Sequence, residues 1–214
     1  MLAYVISGSD EELKFEDVDK LVPELNVHRS FVNKLSDPRV LKTHELHNQR
    51  IHNAIYIVRD PRDVFVSYYH YLKKKLPKDW TISKFLQSEQ GEPSKWSSHI
   101  KSWKQCPNIL LVKYEDLLNE TNDILLLINQ FLVEKGCELD LNNVKKAIEC
   151  TSFEKLKAVE QRFGRNFLSK EDQVKSTRFF RSGIMGSWKQ ELSPSDIELI
   201  MNANKDYMRL YNYT

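Results

Sequence analysis

The sequence predicts an α/β fold with a mostly parallel sheet. Two observations carry that reading. Three short runs rich in Ile, Val and Leu, Val40–Thr43, Ala54–Val58 and Ile109–Tyr114, do not alternate clearly between apolar and polar residues. Strands covered on both faces have that pattern. Helical patterns lie between and after these runs, and strands that alternate with helices favour parallel pairing. A chain of 214 residues, 41% hydrophobic and 29% charged, is long enough for one domain with a core, so residues 1–214 are expected to form a single domain.

The first residues, MLAYVISGSDEELKFED, have neither a basic stretch nor a long apolar core, and do not read as a signal peptide. After the expected strand Ala54–Val58, a helix is predicted over Pro61–Lys75. Asp60 is its cap, Pro61 its first residue and Asp63 lies three residues past the cap. Ile100–Gln105 is expected to end another helix before Pro107. Leu117–Glu134 reads as one long helix, strongly apolar on one side. Asn142–Glu149, Ser152–Val159 and Pro194–Arg209 follow, the last capped by Ser193 with Asp196 three residues on. Residues 160–180 are polar and weakly periodic, and read as a long surface loop of the kind that often carries function. Trp80, Trp96 and Trp103 either fill the core, the favoured reading, or line a pocket.

Composition excludes several classes. A net charge of +2 gives no bulk attraction for nucleic acid or membrane, so any anion site must be local. Cys106, Cys137 and Cys150 are odd in number and widely spaced, which disfavours a disulfide framework or zinc and fits a reducing, cytoplasmic compartment. No apolar run approaches the length of a membrane span.

Three stretches carry candidate chemistry. In AIYIVRDPRDVFVSYYHY, Arg59 ends an expected strand, where open α/β sheets bind ligands. The helix that starts near Pro61 offers free N–H groups to an anion. Ser67 shares a helix face with Asp63 and His70 by its spacing. A guanidinium and a hydroxyl there suit a phosphate. The competing reading pairs Arg59 with Asp60 or Asp63, and Arg62 is assigned to solvent. In DPRVLKTHEL, an extended chain puts Lys42 and His44 on one side. That pair suits proton abstraction beside an anionic group, or is a solvated strand edge. The H-E-L-H segment lacks zinc-protease spacing, and no metal is expected. In STRFFRSGIMGSWKQ, Gly183 and Gly186 sit among arginines and aromatics, a composition suited to phosphate and base contact or to a plain connection. Tyr114, at the end of an expected strand, and Thr151–Phe153, at a helix start, are smaller features.

In order, K-T-H, R-D-P-R-D-V-x-V-S-Y-Y-H, Y-E-D-L, T-S-F and F-F-R-x-G-x-x-G-x-W-K resemble the sulfotransferases that use 3′-phosphoadenosine 5′-phosphosulfate (PAPS). The resemblance implies a P-loop-NTPase-like three-layer fold. It implies His44 as catalytic base and Lys42 as the residue steadying the phosphosulfate. It implies Arg59 and Ser67 at the 3′-phosphate. Tyr114, Thr151, Ser152 and Phe153 would form the adenosine pocket, and Phe179, Arg181, Ser182 and Gly183 a segment closing over the 3′-phosphate and base. PAPS would be the sulfuryl donor, without a metal, and a small-molecule hydroxyl or amine the acceptor. Neither nucleic acid nor membrane is an expected partner. Residues 76–105 and 160–178 would shape the acceptor site.

The sequence departs from the family pattern at its start. Family members open on a strand and a Y-P-K-x-G-x-x-W loop around the 5′-phosphosulfate. Here Gly8 is the only early glycine, and acidic residues follow it. MLAYVIS resembles later turns of the helix after that loop. The expectation is therefore a fold incomplete at its N-terminus, with little transferase activity, or an inactive relative that keeps the 3′-phosphate half-site. Ser182 stands where the family commonly has lysine, which implies weaker cofactor binding.

Overall fold

The computed structural model describes residues 1–9, 11–163 and 183–213. In chain order the elements are α1 (Leu2–Ser7), α2 (Phe15–Leu21), α3 (Arg29–Val32), β1 (Asn53–Val58), α4 (Pro61–Leu72), α5 (Ile82–Leu86), α6 (Ser94–Trp103), β2 (Asn108–Lys113), α7 (Tyr114–Asn119), α8 (Thr121–Glu134), α9 (Asn142–Cys150), α10 (Phe153–Phe163), α11 (Trp188–Glu191) and α12 (Pro194–Leu210). The chain divides into two compact units. The first is Met1–Glu45 with Asp116–Gly183, and the second Leu46–Glu115 with Ile184–Thr214.

The second unit holds the sheet. β1 and β2 pair in parallel, in register from Asn53 opposite Asn108 to Val58 opposite Lys113. Its core gathers Phe65, Val66 and Tyr69 of α4, Phe85 and Leu86 of α5, and Ile100 of α6 around Val58, Ile200 and Met208. Spacings of one and four along α4 put its three apolar residues on one stripe, as a helix lying on a core requires. α4 starts where expected: the Asp60 side chain accepts from the Arg62 N–H at 2.9 Å, and Pro61 takes the first helical position. α12 has a capping box, with the Ser193 and Asp196 side chains each accepting from the other's backbone N–H.

In the first unit α1 packs on α9, as does α8. α1 ends at Gly8, whose left-handed backbone (φ 62°) lets its N–H reach the Tyr4 carbonyl. Asn143 of α9 donates to the Val5 carbonyl at 3.2 Å. Leu125, Ile128 and Leu132 of α8 are buried at spacings of three and four.

The described sheet is smaller than the sequence suggests. Val40–Thr43 forms no strand; Lys42 makes one isolated parallel bridge with Glu24. The Lys42 N–H donates to the Pro23 carbonyl and the Leu25 N–H to the Lys42 carbonyl. Pro23 has no N–H to offer, so the ladder cannot extend past it. β1 is not covered on both faces: Val58 is buried, but Ile57 is 53% exposed. Leu117–Glu134 is two helices rather than one, with Glu120 between them. Tyr114 opens α7 instead of ending a strand, whereas the helix expected to end within Ile100–Gln105 does so, as α6 stops at Trp103. α10 runs on to Phe163, past the start of the expected loop, and the rest of that loop lies outside the described residues.

Candidate functional site

The site in the second unit starts where β1 stops. Val58 is the last ladder residue, and Arg59 follows before Pro61 begins α4. The Arg59 guanidinium lies 4.6 Å from the centre of the Tyr114 ring. Its Nη2 is 3.7 Å from an Asp63 carboxylate oxygen, too long for a good hydrogen bond. The side chain is 22% exposed. Its Nε is buried and has no hydrogen-bond partner among the described residues. A buried guanidinium N–H without an acceptor is costly, and an anion would satisfy it.

Asp63 is only 2% exposed and is already engaged. It accepts from the Gly186 N–H at 2.6 Å, the Ser187 hydroxyl at 3.0 Å and the Trp188 N–H at 3.2 Å. Asp63 thus holds the turn before α11, which leaves Arg59 a distant counter-ion. The reading that pairs Arg59 with Asp63 is met only as this loose contact. Ser67, two turns along α4, is exposed. His70, one turn further, is paired with Glu191 of α11.

Arg62 corrects its assignment to solvent. It is 7% exposed, bidentate to Asp60, and donates to the Tyr213 carbonyl at 2.9 Å. Its guanidinium stacks 4.0 Å from the Trp188 ring centre. The polar alternation around Pro61 gave no sign of this, because Trp188 and Tyr213 are far along the chain. The Arg59–Asp60 peptide is also held on both sides. Trp96 Nε1 donates to the Arg59 carbonyl at 3.1 Å, and the Asp60 N–H donates to Glu115 Oε1 at 3.0 Å. The Y-E-D-L motif points to Tyr114 in sequence but not to Glu115 beside it.

In the first unit, Lys42 pairs with Glu24 at 3.3 Å, and its side chain is 53% exposed. His44 is exposed. Thr151 is buried, and its hydroxyl donates to the Ala147 carbonyl one turn back. Ser152 Oγ accepts from the Lys155 N–H at 3.3 Å and caps α10, as the helix-start reading expects. Gly183 and Phe153 are brought together. Gly183 is left-handed (φ 63°), and a Cβ there would sit 2.6 Å from the Phe153 ring. Phe179, Arg181 and Ser182 lie outside the described residues.

Elsewhere in the second unit, burial pushes the Cys106 thiol up, partly opposed by its hydrogen bond to the Asn108 backbone, which suits a structural rather than a nucleophilic cysteine. Among the described residues no group of His, Cys, Asp and Glu is arranged to hold a metal, and no helix is long and apolar enough to cross a membrane.

Residues 7–212 match the family defined by the sulfotransferase domain. The chain belongs to the sulfotransferase family. Rabbit (Oryctolagus cuniculus) amine sulfotransferase is 28% identical to this sulfotransferase-family chain, the match covering 92% of the chain and 70% of the relative. Human (Homo sapiens) sulfotransferase 1C2 is 30% identical over 77% of the chain and 60% of its own length. Cytosolic sulfotransferase 12 of Arabidopsis thaliana is 29% identical over 78% of the chain and 56% of its length. Among solved structures, a mouse sulfotransferase complexed with PAP superposes with a TM-score of 0.62 at 23% identity, covering 84% of the chain and 69% of that structure. Retinol dehydratase in complex with androsterone and inactive cofactor PAP gives 0.62 at 20% identity, covering 91% and 65%. The fold is therefore that of the sulfotransferases, although within the described residues it shows two paired strands and a majority of helix.

Proposed function

We propose that this chain is a PAPS-dependent sulfotransferase acting on a hydroxyl or amine of a small molecule in the cytoplasm. The observation that carries the reading is the Arg59 guanidinium, half-buried at the end of β1, stacked on Tyr114, with a buried Nε that lacks an acceptor. The residues fit an anionic donor. Arg59 supplies fixed positive charge that a 3′-phosphate neutralises, and Ser67 on α4 adds a hydroxyl. Tyr114, Thr151, Ser152, Phe153 and Gly183 are assigned to the adenosine, together with Phe179, Arg181 and Ser182, by their places in the family motifs. Gly183 against Phe153 supports this: a side chain at 183 would collide with the ring.

The donor supplies an activated sulfuryl group. His44 would take the proton of the acceptor's hydroxyl or amine as that group attacks the sulfuryl donor. Lys42 would steady the charge on the oxygen that the sulfuryl group leaves. Positioning and electrostatic stabilisation would carry the rate. The relatives' names, an amine sulfotransferase and a cytosolic sulfotransferase, and the PAP held by structural neighbours support the substrate class, the compartment and the cofactor.

A second reading is a nucleotide-binding relative without chemistry. The pairing of Lys42 with Glu24 favours it, since a lysine engaged elsewhere is not at a leaving oxygen. At 53% exposure that pair is worth at most about 1 kcal/mol, and a phosphate would displace it. Titration calorimetry with PAP and transfer of radiolabelled sulfate from PAPS separate the readings. The enzyme binds PAP and turns over, and His44→Ala abolishes transfer while keeping PAP binding. Binding with no turnover by the unaltered chain leaves the second reading. Absence of PAP binding at millimolar concentration rejects both.

A further inference from the structure

The Arg59–Asp60 peptide lies at a junction with no ladder or helix to hold it. β1 ends at Val58, and the helical bonds of α4 begin after Pro61. Its carbonyl and N–H need other partners. They find them in two side chains from different elements, Trp96 of α6 on the carbonyl (3.1 Å) and Glu115 of α7 on the N–H (3.0 Å). Glu115 is next to Tyr114, the ring beneath the Arg59 guanidinium. Adjacent residues of α7 thus hold the N–H of the peptide that follows Arg59 and the Arg59 side chain.

Tyr213 closes the arrangement. The left-handed Asn212 (φ 56°) turns the chain after α12, and the Tyr213 N–H bonds back to the Met208 carbonyl at 2.9 Å. Tyr213 is 5% exposed. Its hydroxyl donates to Glu115 Oε2 at 2.8 Å, its ring meets Trp96 edge-on at 6.3 Å, and its carbonyl accepts from Arg62. One residue near the end of the chain therefore touches both groups that clamp the peptide. Groups that bind an anion have to be held to about 0.5 Å, and a long side chain can be placed that well only if its own backbone is fixed.

We propose that Glu115 is a positioning residue for the anion-binding Arg59, fixed in turn by Tyr213, so that docking of Tyr213 sets affinity for the 3′-phosphate of the cofactor. This rests on the reading of Arg59 given above. Glu115 itself would touch neither nucleotide nor acceptor.

The test compares PAP with adenosine 5′-phosphate, which lacks the 3′-phosphate, by calorimetry on the full chain. The ratio of the two affinities reports the 3′-phosphate site and is insensitive to general loosening. Glu115→Ala is expected to shrink that ratio about tenfold, the effect of losing one hydrogen bond to a critical group. Glu115→Gln keeps an oxygen for the Asp60 N–H and is expected to stay within about twofold of the unaltered chain. Tyr213→Phe, which keeps the buried ring, is expected to give a loss of about threefold, and it carries the test should Glu115→Ala not fold. A ratio unchanged in Tyr213→Phe, and in Glu115→Ala if folded, overturns this inference while the function stands. An unaltered chain that shows no preference for PAP overturns both.

Discussion

Arg59 and Arg62 are three residues apart and have opposite fates. Arg59 keeps a buried N–H unmatched and a loose counter-ion; Arg62 spends its donors inside the protein, on Asp60 and the Tyr213 carbonyl, with Trp188 beneath it. Their substitutions should therefore separate stability from binding. Arg62→Leu strands the nearly buried Asp60 carboxylate, and breaking such a pair costs about 3–5 kcal/mol. For a chain of this length that corresponds to a midpoint lower by roughly 6–20 °C. Arg59→Ala removes a group whose hydrogen bonding is incomplete, so its midpoint should move by less than about 2 °C. Its affinity for PAP should fall about 10- to 100-fold, the range for a hydrogen bond to a charged group. Melting curves and calorimetry on the two variants check this together. Equal loss of stability in both would place Arg59 among the structural arginines.

At the scale of elements, the two left-handed glycines of G-I-M-G make a second contrast. A Cβ on Gly183 would meet the Phe153 ring at 2.6 Å, whereas one on Gly186 would find only the Lys189 side chain, at 3.9 Å. Gly186→Ala should cost only the left-handed backbone strain, about 1 kcal/mol. Gly183→Ala adds displacement of an aromatic ring and should cost clearly more, and should weaken PAP binding if Phe153 faces the base. Chemical denaturation of both variants measures the difference. These glycines were legible as special because the chain has few of them; which one faces a ring was not. The same division runs through the fold. Helices with a regular apolar stripe and a good cap, such as α4 and α12, could be read to within a few residues, since both signals are local. The strand expected at Val40–Thr43 could not be judged, because a strand exists only if its partner offers a ladder, and here Pro23, next to the bridge partner Glu24, has no N–H to continue one. Arg62 was misread for a similar reason: its partner Tyr213 is 151 residues away. Glu115 was passed over because a carboxylate that binds a backbone N–H looks like any surface acid in sequence.

At the scale of the whole molecule, a net charge of +2 provides little long-range attraction, so affinity for a multiply charged nucleotide must come from local groups. Binding to the native state then stabilises it by mass action, by about 2.7 kcal/mol at a ligand concentration 100 times the Kd. That predicts a midpoint higher by roughly 5–10 °C with PAP. The distribution of tryptophan makes the measurement selective. The chain has four tryptophans, Trp80, Trp96, Trp103 and Trp188, and all fall within Leu46–Glu115 or Ile184–Thr214. Intrinsic tryptophan fluorescence therefore reports melting of the unit that contains Arg59. PAP should raise the fluorescence midpoint of the unaltered chain, and adenosine 5′-phosphate at the same concentration should raise it much less. Arg59→Ala should remove most of the difference between the two nucleotides. If PAP leaves the fluorescence midpoint where it was while calorimetry still records binding, the 3′-phosphate is held by residues outside this unit, and the assignment of Arg59 is wrong.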